Sequence, residues 1–299
     1  MDKVYGCFFG SIVGDALGSP AEWKDRDSFT ITKMEYNYGL SLPAGSWTDD
    51  TSMALCISKS LIKCGGKLNS RDTLKRYSKW YRHGYLSVKD NFCVDIGKST
   101  LHAIISFERK GTEISPYTSH RGNGSIIRLT PVPIVFRNAS VEKCIEMCVK
   151  SSETTHVASV CREACKILGC IVYYCLNGVH KDDLMSKLRD NVKIHSPELQ
   201  DIYNSKFLTK SRDEIHSTGY VVYSLETALY SFFKFNSFAE CLLYCVHLGG
   251  DTDSTSCMTG MICGAYYGLK SIPTDWMETL QKRDLLDKIA DELVQVNVV

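Results

Sequence analysis

The chain has 299 residues, with 35 Lys and Arg against 34 Asp and Glu, and 44% of its residues are hydrophobic. This length supports one large domain or two small ones, and the composition excludes an intrinsically disordered protein. A net charge of +1 supplies no long-range field that would attract nucleic acid or an anionic membrane. We therefore expect a folded protein that recognises a small partner at a local site.

The amino-terminal segment predicts a cytoplasmic protein. Residues 1–10 form an apolar stretch that is too short and too interrupted by glycine for a signal peptide. No apolar run is long enough to span a bilayer, so we expect no membrane partner.

The 14 cysteines predict helix packing rather than disulfides or a zinc site. Several pairs are spaced four residues apart, which places both thiols on one helical face. These pairs are Cys144 and Cys148, Cys161 and Cys165, and Cys241 and Cys245.

Helical periodicity dominates the chain. It covers residues 2–18, 50–63, 71–82, 93–107, 141–150, 155–177, 219–234, 237–247, 254–268 and 276–294. Strand-like alternation is nearly absent, and Pro131 and Pro133 predict a loop. No linker or repeat marks a boundary, and several connections are long. We therefore expect an all-α protein in which residues 1–299 form one compact domain of orthogonally packed helices.

The first predicted helix carries a glycine every four residues, at Gly6, Gly10, Gly14 and Gly18. Each glycine lowers helix stability by about 1 kcal/mol relative to alanine, so a row of four glycines requires a structural or functional explanation. We interpret Gly6 and Gly10 as a close helix crossing. Gly14 and Gly18 lie on either side of Asp15, and we interpret them as shaping a site.

Two acidic motifs each open a predicted helix, at residues 45–51 (GSWTDDT) and 249–255 (GGDTDST). A helix cap needs one such side chain, so capping explains only part of each motif. Neighbouring carboxylates repel each other unless a cation or a shared proton relieves them. Asp251 and Asp253 can converge only if the turn before the helix is non-helical, which Gly249 and Gly250 permit.

The four carboxylates and the hydroxyls beside them are oxygen ligands, with no His or Cys at ligand spacing. Such a set favours Mg²⁺, Mn²⁺ or Ca²⁺ over zinc. Four clustered negative charges are neutralised by two divalent cations and not by one. The sequence therefore predicts a binuclear metal site, to which Glu22 adds a candidate fifth acid.

Five blocks of the chain resemble the ADP-ribosylglycohydrolase family, which includes the dinitrogenase reductase activating glycohydrolase. The blocks are Gly14–Gly18 with Glu22, Trp47–Thr51, Gly122–Ser125 with Arg128 and Pro131, Thr155–His156, and Leu248–Asp253 with Gly264 and Ala265. The resemblance implies an all-α domain with two Mg²⁺ or Mn²⁺ ions at the base of a central cleft. It also implies hydrolysis of the bond from C1″ of ADP-ribose to a side chain.

The resemblance implies roles for the acidic motifs. The implied metal ligands are Thr48, Asp49, Asp50, Asp251, Asp253 and Ser254. Ser254 stands where the family usually has threonine, and its freer rotamer predicts somewhat weaker metal binding. Glu22 is similar to the family acid that serves as a ligand, as a base, or as both. Asp95 lies in a segment that resembles the DxG motif of arginine-directed members, and it is the second candidate catalytic residue.

The resemblance also implies a substrate-binding set, which comprises Gly122, Asn123, Gly124, Ser125, His156 and Tyr220. The residues alone leave other interpretations open. The loop at 122–125 is also an ordinary Asn-Gly turn. His156 also fits a helix cap or a half-buried imidazole, and Tyr220 fits an adenine-stacking ring or a core aromatic equally well.

These features predict an enzyme, a metal-dependent monomeric hydrolase of ADP-ribosylated protein that releases ADP-ribose, with arginine linkage favoured because of Asp95. One alternative is a module that binds ADP-ribose without turnover. Others are hydrolases of serine-linked ADP-ribose, O-acetyl-ADP-ribose or ADP-ribosylated nucleic acid, although no basic face for a polynucleotide is evident. We expect the leaving group to be held by loops 24–44 and 108–121.

Overall fold

The computed structural model describes residues 1–298, which form fourteen α-helices and no β-strand. The helices are α1 Asp2–Gly18, α2 Asp49–Lys63, α3 Ser70–His83, α4 Lys98–Lys110, α5 Pro131–Val135, α6 Val141–Glu153, α7 Ser159–Leu176, α8 Leu184–Asn191, α9 Gln200–Tyr203, α10 Val221–Lys234, α11 Phe238–Val246, α12 Thr252–Tyr267, α13 Thr274–Thr279 and α14 Arg283–Gln295. Short 3₁₀ turns link several of them. The prediction of a single all-α domain is confirmed, and within the described residues no helix is both long and apolar enough to cross a membrane.

Local capping explains where several helices begin and end. The side chains of Asn69, Ser140 and Ser237 accept hydrogen bonds from backbone N–H groups in the first turns of α3, α6 and α11. Gly84 and Gly111 end α3 and α4 in the left-handed conformation, which a glycine adopts without steric cost.

Several predicted elements differ from the structure. Helix α4 starts at Lys98 rather than residue 93, because Asp95 has a φ of 54° and Gly97 is extended, so neither continues a helix. The predicted loop at Pro131 and Pro133 is wrong, since both lie in the short helix α5, whose first turn suits proline. The predicted helix 276–294 is two helices, α13 and α14, separated at residues 280–282.

The centre of the fold is the contact between α1 and α12, which pack along their whole lengths. Both helices are buried on nearly every side, with α2, α7, α10, α11 and α14 around them. The thiols predicted to pack between helices are buried in this core, and every cysteine is free.

Glycines make this contact possible. A Cβ placed on Gly6 would lie 2.4 Å from the carbonyl oxygen of Gly264, and one on Gly10 would lie 2.2 Å from that of Gly260. A Cβ on Gly14 would lie 2.0 Å from the carbonyl oxygen of Ser256. The close crossing predicted for the first two glycines therefore extends along the helix.

The interpretation of Gly14 and Gly18 as site-shaping glycines is wrong. A Cβ on Gly18 would lie 2.3 Å from the carbonyl oxygen of Thr252, so both residues contact the backbone of α12 rather than the cleft. Their effect on the site is indirect, because they bring Asp15 of α1 close to the first turn of α12.

Replacing Gly14 by Ala should reduce the free energy of unfolding by about 3 kcal/mol, because the methyl group has no space between the two backbones. Gly97→Ala is the matched control, since nothing lies within 4 Å of its Cβ position and its φ of −66° suits alanine. Urea denaturation of the two variants measures the difference. Equal stabilities would contradict the close-packing account.

Candidate active site

A cleft of about 260 Å³ lies where the first turns of α2 and α12 meet the loops before α4 and α5. Most of the residues predicted to form the site line it. They are Glu22, Asp49, Asp50, Asp95, Gly122, Asn123, Gly124, His156, Asp251, Asp253 and Ser254. Thr48, Ser125 and Tyr220 are not part of its lining.

Asp15, at the end of α1, holds the first acidic motif in place through hydrogen bonds. Its carboxylate accepts hydrogen bonds from the backbone N–H and the hydroxyl of both Thr48 and Thr51, at 2.6–3.2 Å. These bonds satisfy N–H groups at the start of α2 and orient the Thr48 hydroxyl, which also lies 3.3 Å from Oδ2 of Asp253. The fully buried Asp15 thus joins α1, α2 and α12.

The second acidic motif follows a turn built from two glycines. Gly249 and Gly250 have φ values of 72° and 70°, as required for the non-helical turn that the sequence predicts. A Cβ on Gly250 would lie 2.0 Å from the carbonyl oxygen of Ser217, so the turn is closely packed. As a result, Asp251 and Asp253 both reach the cleft although only one residue separates them.

The carboxylates form two groups that share one member. Asp15, Asp50 and Asp253 offer oxygen atoms within 4.8 Å of one another, and so do Glu22, Asp95 and Asp253. Asp253 therefore stands between two acidic groups, an arrangement suited to binding a cation in each.

Burial raises the pKa values of the clustered acids. The pKa values of Asp49, Asp50 and Asp253 lie well above the usual aspartate range, first because of burial and then because neighbouring carboxylates repel their charge. The same two causes raise the pKa of Glu22 to about 8.

Asp50 has no side-chain hydrogen-bond partner among the described residues. It is 1% exposed, and neither carboxylate oxygen has a hydrogen-bond donor. A buried carboxylate without a donor is costly, and a divalent cation is the partner that its surroundings fit. The residues present therefore fit a metal site of oxygen ligands.

The two candidate catalytic acids lie at the edge of the cleft. Glu22 is half-buried, whereas Asp95 is exposed and accepts a hydrogen bond from the Ile96 N–H at 2.7 Å. Asp95 lies in the loop before α4, so the interpretation of this acid as part of a helix is wrong.

The loop at residues 122–125 is held against the second acidic motif. The Asn123 side-chain amide donates to Oδ2 of Asp251 at 2.8 Å and to Oγ of Ser224 at 3.0 Å. Ser125 is fully buried outside the cleft lining, where its hydroxyl accepts a hydrogen bond from the Ser152 hydroxyl and lies 3.7 Å from Sγ of Cys165. Gly122 pairs with Tyr220 through the backbone.

His156 is 1% exposed, so its ring is buried rather than half-buried. A contact at its Nδ1 holds the ring in place. Its Nδ1 lies 2.7 Å from Oγ1 of Thr155, which accepts a hydrogen bond from Arg128 at 2.7 Å. Burial and the Arg128 charge lower the pKa of His156 to about 3, so the ring is neutral. Its Cε1–Nε2 edge packs against Gly124. Arg128 is fully buried.

Asp15 is not among the site residues that the sequence predicts, although the sequence around it is unusual for an acid. It is an acid in an apolar helix with small residues on either side. Its hydrogen-bond partners are 33 and 36 residues away, so only the fold shows its role.

Comparison with known proteins decides the family. Residues 1–298 match the model of the ADP-ribosylglycohydrolase family. The chain belongs to the ADP-ribosylglycohydrolase family. A solved structure titled "ADP-ribosylglycohydrolase-related protein complex" superposes with a TM-score of 0.87 at 30% identity, covering 99% of this chain and 98% of that one.

Curated ADP-ribosylglycohydrolase relatives cover almost the whole chain. An ADP-ribosylarginine hydrolase Tri1 of Pseudomonas putida is 35% identical over 98% of this chain and 78% of its own length. The Tri1 of Serratia proteamaculans is 33% identical, with 98% and 79% coverage. An ADP-ribosyl-[dinitrogen reductase] glycohydrolase of Rhodospirillum rubrum is 27% identical, with 94% and 91% coverage.

Asp50→Asn should have opposite effects with and without divalent cations. In chelator, removal of an unpartnered buried charge should raise the free energy of unfolding by about 2 kcal/mol. With Mg²⁺ present, the stabilisation that the wild type gains should be lost. Thermal unfolding in both conditions measures this, with the exposed Asp190→Asn as the control. Retained Mg²⁺ stabilisation in Asp50→Asn would contradict a role in metal binding.

The protein without divalent cations should lose stability as pH rises. Carboxyl groups whose folded pKa is raised favour folding below their unfolded pKa, and that contribution disappears as pH rises through the folded pKa, which is about 8 for Glu22. Thermal unfolding of chelator-treated, dialysed protein should therefore show a falling Tm from about pH 5 to about pH 9, and Mg²⁺ should reduce the fall. A Tm that rises over this range would contradict the expectation.

Proposed function

We propose that this protein is a divalent-cation-dependent hydrolase that releases ADP-ribose from arginine side chains of ADP-ribosylated proteins. One observation carries the proposal: Asp253, which is shared by two carboxylate groups, lines the same cleft as the Gly122–Gly124 loop and His156. Such a cleft combines a metal site with small backbone groups suited to a sugar diphosphate.

The arginine linkage is supported by the relatives. The two Tri1 proteins are named ADP-ribosylarginine hydrolases and are 35% and 33% identical to this chain over 98% of its length. The relatives and the family also support ADP-ribosylated protein as the class of substrate.

We propose two Mg²⁺ or Mn²⁺ ions as cofactors, because Asp253 belongs to both carboxylate groups. The residues that would hold them are Thr48, Asp49, Asp50, Asp251, Asp253 and Ser254, with Glu22 beside them. When bound, the cations would supply Lewis acidity and neutralise the clustered negative charge. Asp15 would keep the Thr48 hydroxyl in place through its hydrogen bonds.

The loop and His156 would bind the ADP-ribose. Glycine at positions 122 and 124 lets a diphosphate approach the backbone, and Asn123 keeps the loop fixed to Asp251. Because Arg128 donates to Oγ1 of Thr155, the Thr155 hydroxyl is free to donate to Nδ1 of His156. The neutral ring then carries its hydrogen on Nε2, which can donate to a phosphate or ribose oxygen.

Cleavage at the anomeric carbon passes through an oxocarbenium-like state, which nearby carboxylates stabilise. Glu22 and Asp95 lie at the cleft edge with oxygen atoms close to Asp253. They are placed to take a proton from the attacking water and to return one to the departing guanidine nitrogen.

The test is an ADP-ribose release assay on matched peptides, one modified on arginine and the other on serine, in Mg²⁺, in Mn²⁺ and in chelator. We expect release from the arginine peptide that needs a divalent cation. Asp253→Ala should lose release and Mg²⁺-dependent thermal stabilisation together, whereas the exposed Asp190→Ala should retain both.

Other outcomes would contradict the proposal in distinct ways. Release in chelator would contradict the role of the cations, and exclusive release from serine would contradict the linkage. Calorimetric binding of ADP-ribose without release from either peptide would indicate a binding module.

A further inference from the structure

A second cavity, of about 350 Å³, opens beside the cleft and is called the outer pocket. Glu22, Trp23 and Asp95 line both cavities. The outer pocket is completed by the segment 19–24 and by the turn around Tyr38 and Gly39. It therefore continues the cleft on the side of the two candidate catalytic acids.

Buried polar contacts hold the outer pocket open. Asn37 is 5% exposed, and its amide donates to the backbone oxygen of Ser19 at 2.9 Å and to its hydroxyl at 2.7 Å. The Asn37 Oδ1 accepts a hydrogen bond from the Leu40 N–H at 2.9 Å. The turn that carries Tyr38 is therefore fixed to the end of α1.

The opposite edge is fixed to the second acidic motif. The N–H of Trp23 donates to the carbonyl oxygen of Gly250 at 2.7 Å, and the N–H of Gly250 donates to that of Lys24 at 2.9 Å. Trp23 has a φ of 63°, an uncommon conformation for tryptophan, and its side chain is 70% exposed. A large apolar ring is thus held in solvent at the junction of the two cavities.

The chemistry of the outer pocket suits a cation. Glu22 and Asp95 contribute carboxylates, and Trp23 and Tyr38 contribute aromatic rings, the latter 85% exposed. Arg and Lys side chains bind such rings through cation–π contacts. Lys24 is the one basic residue of the lining, and its ammonium group lies over the Phe29 ring at 5.6 Å from the centroid.

We propose that the outer pocket binds the arginine side chain from which ADP-ribose is removed, and that Tyr38 and Trp23 determine this specificity. The inference rests on the proposed function. The glycine loop and His156 line the cleft and do not line the outer pocket, and Glu22 and Asp95 lie between. A ribose bound over the acids with its diphosphate on the loop directs the group on C1″ toward Trp23 and Tyr38. Of the two loops expected to hold the leaving group, this assigns 24–44.

The experiment measures kcat and KM for arginine-linked and serine-linked ADP-ribosyl peptides, together with the Kd of free ADP-ribose by calorimetry. Tyr38→Ala should lower kcat/KM for the arginine peptide about 5- to 10-fold, mainly through KM, as expected for a lost cation–π contact. Its effect on the serine peptide and on the Kd of ADP-ribose should stay below about 2-fold. Tyr38→Phe, which keeps the ring, should resemble the wild type.

Tyr81→Ala, a partly exposed tyrosine on α3, is the control and should change none of these quantities. Unchanged arginine kinetics in Tyr38→Ala would overturn the inference and leave the proposed function intact. Equal losses for both peptides and for ADP-ribose would also overturn it, because they would indicate a general effect on the site. A wild type that never acts on the arginine peptide would overturn the proposed function and this inference together.

Discussion

The direct contact between the backbones of α1 and α12 is the constraint on which the site depends. Glycines on both helices let the main chains approach at a distance that any side chain would prevent. The approach places Asp15, in the last turns of α1, beside the first turn of α12, where Asp253 lies. Asp15 then anchors the start of α2 through Thr48 and Thr51. Three segments distant in sequence thereby bring their carboxylates to one point.

Burying the clustered acids makes an unfavourable contribution to the free energy of folding, and the apolar core of the protein compensates for it. Burial and mutual repulsion raise the pKa values of Asp49, Asp50 and Asp253, and Asp50 has no donor for either oxygen. A protein selected for stability alone would place apolar or neutral side chains here. The buried charge is therefore the mark of a functional site, and the large apolar core surrounding it supplies the stability that the site removes.

The sequence predicts the helical class and most of the cleft, because both signals are local. Apolar periodicity marks long helices such as α1 and α2, and consecutive acids at helix starts mark the two motifs. Features that depend on contacts between distant segments were not predictable. The role of Asp15 depends on threonines more than thirty residues away, and the packing of Gly14 and Gly18 depends on α12.

Short elements also escaped prediction. Helix α5 has five residues and α9 has four, which is too few for an apolar period to be visible. The sequence predicts a helix at Asp95 because the apolar pattern of α4 extends back into the preceding loop, where Asp95 has a positive φ and the backbone is not helical.

The turn formed by Gly249 and Gly250 has a consequence for how such an enzyme diversifies. Its backbone is bonded to Trp23 and Lys24, so the segment that follows α1 starts from a fixed point beside the acids. Asn37 fixes the same segment a second time, at the end of α1. The exposed side chains of Trp23 and Tyr38 lie at these anchors, so they can be exchanged while the backbone contacts that hold the segment beside the acids are kept. If the outer pocket holds the leaving group as we propose, selection can alter the choice of leaving group separately from the chemistry of bond cleavage.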